Sequence, residues 1–161
     1  MDTAYIFSIF QELLYLLIVF GGFVIYAIVK GRQAVINLIT GLYFALLISL
    51  EFPYYDTFLS QTSDAHLQSI GRLLLFAIFT LIATVIVTRI MPGEYRERKF
   101  ESLAKKILLA LAGTIVIMIF SFHVLPVTEF LTPGTPIQSL FAPAQYFFWW
   151  LLVPFVVLYL N

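Results

Sequence analysis

The chain has 161 residues, of which 61% are hydrophobic, 17% aromatic and only 11% charged, and nine basic residues balance nine acidic ones. A soluble domain is about half apolar and about a quarter charged, so this composition excludes a soluble fold and points to a membrane protein. Zero net charge gives no electrostatic case for nucleic acid, and the lack of cysteine rules out disulfides, thiol chemistry and thiolate metal sites.

Asp2 stands where a secretory signal carries basic residues, and no small-residue cleavage pattern follows the long apolar run, so the start reads as a first membrane helix. Five segments can span a bilayer core, which takes about 20 apolar residues. They are residues 5–29, 34–52, 67–90, 107–125 and Ala144–Leu160. The predicted fold is all-α, a single polytopic membrane bundle over residues 1–161 with about five transmembrane helices. Only Lys30, Gly31, Arg32 and Gln33 separate the first two segments, which forces an antiparallel hairpin. The next connection holds Asp56, Asp64 and His66 but no Lys or Arg; its Phe52, Tyr54 and Tyr55 suit a membrane interface, and Asp64 can cap the third helix.

Residues 89–106 carry six of the nine basic residues. Pro92 and Gly93 break the third helix. Phe100, Leu103, Ala104, Ile107 and Leu108 then recur at helical spacing, with Arg96, Lys99, Glu101 and Lys106 elsewhere around the turn. This predicts a cytoplasmic amphipathic helix running into the fourth span. Arg96, Arg98, Lys99, Lys105 and Lys106 form its basic patch, a topological anchor near anionic lipid or a docking surface. The link over residues 126–143 has Glu129 as its one charge, and its first part is long enough for a shallow re-entrant turn. The last segment opens on Tyr146, Phe147, Phe148, Trp149 and Trp150, an interfacial aromatic belt or a lipid- or peptide-contact surface, and Pro154 predicts a kink.

Basic residues set the expected orientation. Lys30 and Arg32 lie in the first connection and six more in the third, on one side of an alternating chain, while the opposite side has none outside a helix. The positive-inside bias places the N-terminus outside, the basic connections in the cytoplasm and Asn161 inside.

Glu12, Glu51 and Arg72 are polar where polarity is costly. Glu12 and Arg72 each lie about 10 Å into a span at 1.5 Å per residue, and Glu51 ends the second. Alternating topology brings all three to the outer half of the bilayer. A charge at the bilayer centre costs roughly 2.5–3.5 kcal/mol on insertion scales, so such residues face the bundle and pair. Arg72 is therefore expected within salt-bridge reach of Glu12, Glu51 or both, either as a packing device or as a site for ions, protons or a charged ligand. Helical spacing groups Ser8, Glu12, Tyr15, Val19, Gly22 and Tyr26 on one face, Asn37, Gly41, Phe44, Ile48 and Glu51 on another, and Ala110, Thr114, Ile117 and Ser121 on a third. Thr80, Thr84 and Thr88 are expected to bond back to their own helix. His66 and His123 lack ligand spacing, so neither a metal nor a cofactor is expected.

The run Val29-Lys30-Gly31-Arg32-Gln33-Ala34-Val35-Ile36-Asn37-Leu38-Ile39, followed by Gly41-Leu42-Tyr43-Phe44-Ala45, resembles the first hairpin of the colicin V production protein family. That family is similar in length, with a short outside N-terminus, a Gly/Arg turn, a small-residue second helix and a later basic segment. The Arg-Gly order is inverted here, and a fifth apolar segment lies beyond the family's four. The resemblance implies a non-enzymatic inner-membrane protein of the envelope or secretion type, acting by assembly with itself or with other membrane proteins. The competing expectation is a small transporter or channel subunit using Glu12, Glu51 and Arg72.

Overall fold

The computed structural model describes residues 3–55, 57, 65–91, 102–123 and 136–160. No strand occurs among them, and the ordered elements are α1 (Thr3–Lys30), α2 (Arg32–Glu51), α3 (Ala65–Ile90), α4 (Ser102–His123), the short α5 (Pro136–Phe141) and α6 (Ala144–Leu160). Four of these, α1 to α4, are long and apolar enough to cross a membrane. The chain is an all-helical, membrane-embedded bundle. The expected fifth span is α6, whose 17 residues cover about 25 Å against a hydrocarbon core of about 30 Å.

The α1–α2 turn is a single residue. Gly31 has φ 86°, a left-handed conformation that only glycine adopts without a steric cost. Its N–H closes α1 on the Ala27 carbonyl at 3.1 Å, and Arg32 already begins α2. The chain therefore reverses more tightly than the four-residue link suggested.

Side-chain pairs fix the helix directions. Tyr15 meets Ser121 and Phe23 meets Gly113, so α1 and α4 are antiparallel. Asn37 meets Thr88 and Gly41 meets Thr84, so α2 and α3 are antiparallel. Lys30, Arg32, Arg89, Lys105 and Lys106 consequently gather at one end of the bundle, called the basic end below.

Helix α4 is the hub, packing on α1, α2, α5 and α6. Its small residues allow this. Ala110, Ala112, Gly113 and Thr114 are all buried, and a Cβ at Gly113 would overlap the Phe23 ring. Where lipid replaces water, close backbone approach and van der Waals contact drive helix association. Phe120, fully buried, closes the junction of α2, α3 and α4. Its ring meets Tyr43 edge-on at 6.2 Å and Phe76 at 5.8 Å.

The edges differ. Helix α3 packs chiefly on α2, leaving Leu74, Ile78, Leu81, Ile82, Val85 and Ile86 exposed. Beside it, Leu38, Leu42, Phe76, Thr80, Thr84 and Ile117 line an apolar groove of about 510 Å³. Helix α6 forms the other edge. The Tyr43 hydroxyl donates to the Leu151 carbonyl at 2.7 Å, and the Trp150 indole donates to the Leu140 carbonyl at 2.9 Å. The helix runs on through buried Pro154, which removes the N–H that Trp150 O would otherwise accept.

Two predicted faces rotate. On α1, Glu12 is buried and Tyr15 and Val19 half-buried, but Gly22 is exposed and Phe23 and Ala27 carry the contact onward. On α2 the buried line runs Asn37, Gly41, Ala45, Ser49, with Leu42 and Leu46 beside it, while Phe44, Ile48 and Glu51 are exposed. The reason is α4: a second neighbour beside α3 turns the buried sector of α2 toward Leu42 and Leu46. The α4 face holds, with Ala110, Thr114 and Ser121 buried and Ile117 half-buried. Residues 92–101, most of the expected amphipathic helix, lie outside the described residues.

Candidate functional site

Glu12, Glu51 and Arg72 do lie at one end of the bundle. Glu12 stands eighteen positions from the turn-forming end of α1, Glu51 closes α2, and Arg72 is in the first third of α3. All three are at the end opposite the basic one. They do not form one cluster. Glu12 is buried, at 1% exposure, on the α1 face that meets α4. Arg72 and Glu51 are both exposed, and Arg72 forms no ion pair with either carboxylate among the described residues. The expected Arg72 salt bridge is not made. A helical wheel gives depth and face for each helix alone, but not which faces meet, and α1 meets α4 while α3 meets α2.

One turn from Glu12, the Tyr15 hydroxyl and Ser121 Oγ lie 2.8 Å apart. Ser121 Oγ also reaches the Ile117 carbonyl of its own helix at 2.7 Å. Glu12 itself has a polar contact, while its Oε1 is buried without a hydrogen bond. A carboxyl, a phenol and a hydroxyl thus line one side of the α1–α4 seam.

The second polar group joins α2 to α3 nearer the basic end. Gln33 Nε2 donates to Asn37 Oδ1 at 3.0 Å, and Asn37 Nδ2 donates to Thr88 Oγ1 at 3.3 Å. Four residues further along α2, Gly41 lets the Thr84 backbone approach so closely that a Cβ would come within 2.9 Å of Thr84 Cα. Of the three threonines, Thr80 bonds back to the Phe76 carbonyl at 2.9 Å as expected. Thr88 instead accepts from across the interface, and Thr84 Oγ1 is buried without a hydrogen bond. The close approach at Gly41 accounts for Thr84, whose hydroxyl is enclosed by the partner backbone. Sequence alone places Gln33 in the link between the first two spans, although its i, i+4 spacing to Asn37 is visible. Tyr43 was missed as a helix–helix bond, yet a mid-span phenol always requires a partner for its hydroxyl.

Of the basic patch, Lys105 and Lys106 are half-buried on the first turns of α4, whereas Arg96, Arg98 and Lys99 lie outside the described residues. No group of three or more metal-ligating side chains occurs among the described residues. Phe52 gathers the aromatic residues at the far end: its ring meets Tyr54 at 5.8 Å, Tyr55 at 5.1 Å and Phe79 of α3 at 5.1 Å.

Comparison with known proteins gives no relative: no family model, no curated protein and no solved structure matches the chain.

Proposed function

We propose that this chain is a non-enzymatic membrane-embedded assembly subunit of the bacterial inner membrane, of the envelope or secretion-associated type, working through helix contacts with second copies of itself or with other membrane proteins. The observation that carries the reading is α3, docked chiefly on α2 and presenting a long apolar face beside an open groove. The use of polar side chains supports it too. Asn37, Gln33, Thr88, Tyr15, Ser121 and Tyr43 are engaged in bonds within or between helices, which is how polar groups hold membrane bundles together. The hairpin similar to the colicin V production family agrees with this type. The basic end faces the cytoplasm by the positive-inside bias.

The native chain has no cysteine, so single cysteines report cleanly. Cysteine at Leu81 or Ile86 on α3 is expected to give disulfide-linked dimers, or adducts with a fixed neighbour, in native membranes, and cysteine at Ile25 of α1 is not. Monomeric mass in mild detergent together with no adduct from any α3 position would sink the proposal.

A second reading rests on Glu12, a carboxyl at 1% exposure inside a membrane helix, one turn from the Tyr15–Ser121 contact. It is a small transporter or channel subunit. That reading requires flux of protons or cations through liposomes holding the purified chain, abolished by Glu12→Gln in a protein that still folds.

A further inference from the structure

Glu51 and Arg72 are exposed, and among the described residues neither side chain makes a hydrogen bond or ion pair. Their placement is informative. The pairs Asn37–Thr88 and Gly41–Thr84 set the α2–α3 register. Continued along both helices, it brings Glu51, the last residue of α2, level with Leu74, two residues from Arg72. Arg72 also shares a face of α3 with Phe79, seven residues on. Phe79 packs on Phe52, the neighbour of Glu51. The two opposite charges therefore flank one aromatic cluster, on the side of the α2–α3 pair away from the groove, and within about one turn of each other in depth.

That depth is the headgroup border. Helix α3 has 26 residues and is about 39 Å long at 1.5 Å per residue, so it overhangs a core of about 30 Å by a few ångströms at each end. Arg72, eighth in the helix, starts about 6 Å inside the hydrocarbon edge and reaches the phosphate level by snorkelling. Tyr54, 57% exposed, packs edge-on against Phe52 in the same aromatic cluster.

We infer that Glu51 and Arg72 form a binding site for a bilayer phospholipid whose headgroup carries both a phosphate and a primary amine, a phosphoethanolamine lipid, in the leaflet opposite the basic end. The guanidinium takes the phosphate, for which its planar fork of N–H donors is suited. The Glu51 carboxylate accepts from the ammonium, which has three N–H donors. Two opposite charges match this headgroup better than a purely anionic one, which Glu51 repels, or a quaternary ammonium, which has no N–H to donate. A direct Glu51–Arg72 pair at an exposed position is worth little, so it competes weakly with the lipid.

The test is native mass spectrometry of the full chain, purified in detergent, with phosphatidylethanolamine, phosphatidylcholine and phosphatidylglycerol of identical acyl chains. The ethanolamine lipid is expected to be retained roughly three- to fivefold over the other two, the size of one exposed charged contact. Glu51→Gln should bring the ethanolamine lipid down to the choline level, and Arg72→Ala should lower retention of all three. Both side chains are exposed, so both variants fold, which an unchanged helical spectrum and melting temperature verify. Three results overturn the inference: preferential retention of the glycerol lipid by the native chain, ethanolamine adducts unaffected by both substitutions, or a lower melting temperature in both variants with lipid retention unchanged. The last identifies a direct ion pair.

Discussion

Phe120 shows what one residue does in a bundle without a water-driven core. It touches Tyr43 of α2 and Phe76 of α3 from α4, so Phe120→Ala opens a cavity where three helices meet. A buried Phe→Ala change costs about 3–5 kcal/mol in protein cores, and the loss is expected to be the largest of any single truncation in this chain, measured as reversible unfolding in bicelles. Polar contacts are smaller. Tyr43→Phe removes the bond to the Leu151 carbonyl and Asn37→Leu removes the bond to Thr88. Each should cost about 0.6–1.7 kcal/mol, the range for interhelical bonds in membranes, and Tyr43→Phe should loosen α6 without altering α1. These residues were unequally legible. Asn37, Gly41 and Ser121 stood out because polar or small residues inside an apolar run have a packing reason. Glu12 and Arg72 stood out equally, but spacing along a helix does not show which faces meet: Glu12 is buried on the face of α1 toward α4, whereas Arg72 is exposed on α3.

At the scale of elements, α3 is attached by a polar knot near the basic end and by aromatic contacts toward the other. Gly41 is what permits the knot, because any side chain there collides with Thr84. A double variant with cysteine at Asn37 and at Thr88 is expected to oxidise to a disulfide readily. Adding Gly41→Leu should abolish that crosslink and lower the melting temperature, while α1–α4 contacts, read from a cysteine pair at Tyr15 and Ser121, persist. Continued Asn37–Thr88 crosslinking in the Gly41→Leu background would show that the backbones do not meet there. The five long helices were legible from apolar run length alone, to within about five residues at their ends, while the short α5 was not. Which helix forms the hub was not. Composition does not single out α4, whose hydropathy lies between those of α2 and α1; its burial comes from Ala110, Ala112 and Gly113 admitting partners on several sides, and that depends on the partners' shapes as much as on α4.

For the whole molecule, orientation and assembly decide the biology. With the basic end cytoplasmic, a cysteine at Ser60 is expected to react with a membrane-impermeant maleimide added outside intact cells, and one at Lys106 only after permeabilisation. The opposite pattern would invert the bundle. The one-residue turn at Gly31 has a further consequence, for the chain's birth rather than its final state. With no slack between Lys30 and Arg32 in the folded hairpin, α2 reverses directly on α1, and the two are expected to enter lipid as one loop, led by the start of α1 and the end of α2. A force-sensing arrest peptide placed at increasing distances downstream should therefore record one broad pulling event for both helices. Inserting a flexible glycine-serine spacer after Gly31 should split it into two.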